Sequence, residues 1–209
     1  MFTNRSIVQR ISRAAAMGAG ALVLLTACGG GDNSPAGHDM PAMRSDAPAT
    51  TTAGAQPGES FNDADVMFAQ MMIPHHQQAV EMAELAETRA ADAEVRDLAA
   101  KIKAAQDPEI QTMRGWLKTW GRPESAGAMD HGMPGMMSGE EMNDLKTVKG
   151  AAFDKRFAQL MIAHHEGAIE MAQIEQAQGA DTEAKALARG IETAQRAEVE
   201  QLRKIVDRL

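Results

Sequence analysis

Two stretches of the chain set adjacent histidines among methionines at the same spacing: Met72, His75, His76 and Met82, and again Met161, His164, His165 and Met171. Imidazole nitrogen with thioether sulfur suits soft cations, Cu(I) above all and Ag(I) as its mimic. Adjacent residues on a helix diverge by about 100°. His75 and His164 are therefore expected to face a helical seam, and His76 and His165 its flank. Met72 and Met161 lie one turn before His76 and His165 and share their faces. Met113 offers a further thioether. Gln106, Glu109, Gln195 and Glu198 also fall mid-helix, where they would hydrogen-bond the histidines, fix their tautomers or ligate a metal directly. A purely structural role competes with all of this: methionine fills cores readily, a buried histidine can be a satisfied core residue, and the Gln and Glu can be flank polarity.

The other two histidines lie in linkers. His38, Met40 and Met43 form one cluster, and His131, Met133, Met136 and Met137 another. Both sit among Gly and Pro, so they are expected to bind metal more weakly than a preorganised bundle site, or to be low-complexity tether and nothing more. Free imidazole ligates only when neutral, so metal affinity is expected to fall below about pH 6.

The elements that must position these residues are duplicated. At an offset of 89, residues 68–83 and 157–172 are identical at 11 of 16 positions, and residues 61–120 match 150–209 at 22 of 60. Each copy reads as a helical hairpin. Phe68, Met72, His75, Ala79 and Met82 step by four and three, as do Val95, Ala99, Ile102, Gln106, Glu109, Met113 and Trp116. Asp92 and Asp181 are candidate N-caps, Gly179 a helix stop, and Ser138 with Glu141 a capping box opening a short helix. Pro74 and Pro108 align with Ala163 and Ala197, so each is expected to kink its helix rather than end it. Neither hairpin can bury its stripe alone. The expected fold is an all-α, antiparallel four-helix bundle built from two repeated hairpins.

The expected organisation is a signal peptide at 1–27, a disordered tether at 28–60, hairpins at 61–121 and 150–209, and a Met/His-rich linker at 122–149. Arg5, Arg10 and Arg13 precede a short apolar run ending at Leu25-Thr26-Ala27-Cys28, which resembles a lipoprotein cleavage site with Cys28 as the lipidated residue. An ordinary secretory signal is the alternative. Either places the protein in the cell envelope outside the cytoplasm; the first also gives it a membrane partner. Removing those three arginines shifts the formal charge from −8 to −11, which disfavours nucleic acid.

FAQMMIPHHQQAVEMA and FAQLMIAHHEGAIEMA resemble the MIPHH signature of the domain of unknown function 305 family, and Leu98, Ile102, Gln106, Glu109, Ile110, Met113, Trp116 and Leu117 resemble its second-helix pattern. The resemblance implies a ferritin-like bundle, usually exported, with some members binding copper through Met and His. Ala163 replaces the motif proline and Leu202 stands where the first copy has Met113, so the half-sites are unequal.

Three functions follow as expectations. The first is a copper-binding envelope protein for sequestration, resistance or delivery, with copper-exporting or copper-accepting proteins as partners. The second is a ferritin-like metal oxidase or oxidoreductase, although the Glu-x-x-His motif of di-iron bundles is absent from the sequence and no catalytic residue is assigned. The third is a structural lipoprotein without metal.

Overall fold

The computed structural model describes residues 60–125 and 133–209. The signal segment, Cys28, His38, Met40, Met43 and His131 lie outside the described residues. Within them the chain is helical: α1 (Asp63–Arg89), α2 (Ala93–Thr119), α3 (Gly139–Thr147), α4 (Ala151–Gln178) and α5 (Thr182–Arg208). The four long helices have 27 or 28 residues, and α3 is the short linker helix. No described helix is long and apolar enough to cross a membrane.

The helix ends follow the local chemistry. Asn62 and Asp65 form a capping box on α1, and Ser138 and Glu141 form one on α3. Asp92 and Asp181 cap α2 and α5 through two backbone N–H groups each. Pro74 and Pro108 lie inside continuous helices. Gly179 does end α4, but with φ −63°, not the left-handed conformation that usually selects glycine. Its need is spatial: a Cβ there would collide with the Glu175 carboxylate.

Helices α1 and α2 form one hairpin and α4 and α5 the other. The hairpins meet mainly through α1 and α4, with α2 and α5 touching less. The two inner helices run antiparallel. The Asp65 carboxylate near the start of α1 accepts from the Ala180 and Asp181 N–H groups past the end of α4 (2.9–3.1 Å). Asp154 does the same for Ala91 and Asp92 past the end of α1 (3.0–3.2 Å). Asp65 and Asp154 occupy the same repeat position, so each copy closes the other's turn.

The seam residues of α1 are all buried. Along α2, Val95, Ala99, Ile102, Gln106 and Met113 are buried as expected, but Ile110 and Leu117 replace Glu109 and Trp116. A seven-residue pattern runs at 3.5 residues per turn, whereas a straight helix runs at 3.6, and over six turns the buried stripe drifts by one residue.

Candidate metal centre

The core divides into two apolar clusters. One holds Met72, Met113 and Met171 with Phe68, Ile110 and Leu117. The other holds Met82, Met161 and Leu202 with Phe153, Phe157 and Ile102. The repeat exchanges the two clusters: Met72 corresponds to Met161, Met171 to Met82, and Met113 to Leu202. Each cluster thus takes methionine from both copies, and Leu202 marks where the second lacks a thioether. Met137 of the linker packs into that second cluster.

The four histidines form a polar layer that belongs to neither cluster. His75, His76, His164 and His165 are all 0% exposed. This corrects the expectation that His76 and His165 lie on the flank: α2 and α5 cover that face as well. Gln106 and Gln195 are also buried. The rings of His75 and His164 approach to 3.7 Å between centroids, inclined by 37°. The two copies therefore do bring one histidine of each pair together.

Glu109 and Glu198 bond histidine within their own hairpin. His76 Nε2 lies 2.8 Å from Glu109 Oε2, and His165 Nε2 lies 2.7 Å from Glu198 Oε2. A carboxylate only accepts, so both rings carry their proton on Nε2. His75 Nε2 likewise donates to the Pro134 carbonyl at 3.1 Å. In each neutral ring this leaves Nδ1 as a bare acceptor. None of these three Nδ1 atoms has a hydrogen-bond partner, and neither nitrogen of His164 has one. Unpaired buried polar groups are rare in native proteins because each costs free energy, and five in one layer call for an explanation. Gln106 and Gln195 Oε1 are also unpaired.

The electrostatics keep two of these rings neutral. Burial, and then the neighbouring His76, push the His75 pKa down from 6.5 to about 3; the Pro134 carbonyl opposes this and His165 adds to it. Burial, and then His75, hold His164 well below 6.5. Their nitrogen lone pairs stay available far into the acid range. Bare imidazole acceptors flanked by thioethers fit a soft cation as a chemical set. Among the described residues, no three His, Cys, Asp or Glu side chains converge to hold an ion. Coordination there would draw on thioether sulfur or on imidazoles brought closer.

The linker methionines are placed differently from the sequence expectation of a free flexible loop. Met133 and Met137 are buried and Met136 half-buried, because residues 133–137 lie as a strap against α1 and α4. Sequence reasoning missed the residues that hold it. Gln78 donates to the Met137 carbonyl (3.0 Å) and accepts from its N–H (2.7 Å). The repeat partner of Gln78 is Gly167, where a Cβ would collide with the Pro134 carbonyl. The signal was present as one aligned position at which the copies differ, Gln against Gly.

Comparison with known proteins returns relatives of the same fold. The family model described as domain of unknown function (DUF305) matches residues 65–206. A DUF305 protein of Streptomyces coelicolor, named as secreted, is 38% identical, with 66% of this chain and 89% of that one covered and a TM-score of 0.63. A DUF305 fragment from Deinococcus radiodurans is 33% identical, covering 71% and 98%, with a TM-score of 0.65. CopM in its Cu(I)-bound form is 35% identical, covering 67% and 93%, with a TM-score of 0.57; Cu(II)-bound and Ag-bound forms of CopM also match. None of the curated proteins matches the chain.

Proposed function

The chain belongs to the DUF305 family, and from that premise we propose that it is an extracytoplasmic binder of soft metal ions, copper above all. The observation that carries this reading is the set of five unpaired ring nitrogens in the layer of His75, His76, His164 and His165. Glu109 and Glu198 set the tautomer of two rings, so that Nδ1 faces away from the carboxylate as an acceptor. Such carboxylate–imidazole pairs are usual behind metal-ligating histidine. Met72, Met113 and Met171 on one side, and Met82 and Met161 on the other, are the thioethers available to it. The match to CopM, solved with Cu(I), Cu(II) and Ag, supports copper or silver as the ion.

The biological role in this reading is to hold or hand on copper at the envelope, with copper-exporting or copper-accepting proteins as partners and lipid on Cys28 as the anchor. The secreted name of the Streptomyces relative supports the location. The test is titration of the purified mature protein with Cu(I) against a chromophoric chelator, alongside a variant in which all four buried histidines are alanine. Binding tighter than micromolar that the variant loses would support the proposal. Micromolar or weaker binding, equal in both proteins, would refute it.

A further inference from the structure

The four histidines are sealed, yet one of them is a single residue away from a surface cavity. A cavity of about 490 Å³ opens beside the start of α1, lined by Met67, Phe68, Met71, Pro134, Met171 and Glu175 among others. Met67 is 46% exposed and Met71 half-buried, so both can reach solvent. Pro134 lines this cavity and also accepts the His75 Nε2–H on its carbonyl. It is therefore the partition between the thioether-lined cavity and the imidazole layer.

The partition is held by burial of Met133 and Met137 at its two ends and by a small set of hydrogen bonds. Gln78 grips the strap at Met137 through two hydrogen bonds, and a further bond closes the strap's own turn, from Met136 N–H to the Met133 carbonyl. Gly135 takes φ +76°. A Cβ on Gly135 would sit 2.6 Å from the Ala163 carbonyl and 2.9 Å from the His164 carbonyl, so the strap lies flat on α4 only because Gly135 and Gly167 both lack side chains. The two copies contribute to it unequally at one aligned position: Gln78 grips and Gly167 yields space.

We propose that the Met67–Met71–Met171 cavity is the entry vestibule for a soft monovalent cation, and that the Met133–Met137 strap is the door between it and His75. Exposed thioethers take such a cation from water without the proton competition an imidazole meets, and moving the strap frees His75 Nε2, whose ring lies against that of His164. The proposal rests on the soft-metal reading of the histidine layer, but the door has a readout of its own that involves no metal.

In the metal-free protein, the rate at which diethyl pyrocarbonate modifies His75 and His164, resolved by peptide mass spectrometry, reports their exposure. Gly167→Ala displaces the strap by collision, and Gln78→Ala removes its two side-chain bonds, so each is expected to raise the rate roughly tenfold or more. Gly190→Ala is the control, because a Cβ there meets nothing within 4 Å. Unchanged rates in both strap variants would overturn the door. Stopped-flow binding of Ag(I) tests the vestibule: Met67→Leu with Met71→Leu should slow association several-fold at unchanged equilibrium affinity, and Gly167→Ala should speed it. If Ag(I) binds at the same rate in all variants, the entry route is wrong. If Ag(I) binds none of them while diethyl pyrocarbonate still discriminates, the strap stands as a cover and the soft-metal reading falls.

Discussion

Asp65 and Asp154 stand 89 residues apart at one repeat position, and each carboxylate is buried against the backbone of the other copy's turn. This exchange locks the two hairpins at both ends of the α1–α4 contact. Hydrogen bonds to a charged acceptor are worth about 1.5–3 kcal/mol, and stranding buried N–H groups costs about as much. Asp154→Ala and Asp65→Ala should each destabilise the protein by roughly 2–4 kcal/mol. The sites lie at opposite ends of the bundle, so the two losses should add. Urea unfolding of the single and double variants checks both statements. A loss below about 0.5 kcal/mol in each would mean the turns close without them.

Glu175 is buried at the Asp65 end, whereas its repeat partner at the Asp154 end is Ala86. Burial, and then Asp65 nearby, raise its pKa to about 8, with Lys185 opposing and Asp181 adding to the rise. The folded chain thus keeps a proton that the unfolded chain releases near pH 4.5. The stability this proton contributes is complete below pH 4.5 and is lost as pH rises toward 8. Glu175→Gln keeps a neutral side chain at every pH. It should flatten the thermal stability profile between pH 5 and 9 and melt a few degrees above the parent at pH 9. Parallel profiles for the two proteins would show that Glu175 ionises freely.

The lowered pKa values of His75 and His164 alter the pH behaviour expected of free imidazole. Between pH 6.5 and about 3 the unfolded chain takes up a proton at His75 that the folded chain refuses, and His164 behaves in the same sense. Acidification through that window therefore removes stability from the metal-free protein. For the same reason protons compete weakly with metal at these two rings. Ag(I) affinity that rests on His75 and His164 should change by no more than roughly threefold between pH 7 and pH 5. A fall of a hundredfold would indicate that binding rests on rings that protonate in the ordinary range.

Helices, hairpins and caps were legible because they are periodic and local. The repeat predicted the antiparallel bundle, and the four-three stepping placed His75, His164 and the methionines inside it. Three features were not readable. His76 and His165 are buried because a second helix packs over their face, which spacing on one helix does not reveal. The one-residue drift that buries Ile110 and Leu117 accumulates only over a long helix. The strap is set by Gln78 and Gly167, whose meaning depends on a loop some sixty residues away from the first of them. Asp65 and Asp154 are identical at one repeat position, but only the tertiary structure shows that each serves the opposite copy.

The His76–Glu109 and His165–Glu198 pairs separate a metal-directed arrangement from a structural one. If these carboxylates hold the imidazoles for an ion, their influence should scale with basicity. Glu→Gln keeps an oxygen that accepts the Nε2–H but removes the charge, and Glu→Ala removes both. Cu(I) affinity should then fall in the order Glu, Gln, Ala, with the Glu109→Ala and Glu198→Ala double variant weaker by roughly 10–100-fold. The carboxylates are partly exposed but the imidazoles are fully buried, so each lost bond should cost folding roughly 1–3 kcal/mol. Competition titration and urea unfolding on the same proteins measure the two effects apart. A double variant that loses stability but binds Cu(I) as tightly as the parent would assign these pairs to the scaffold alone.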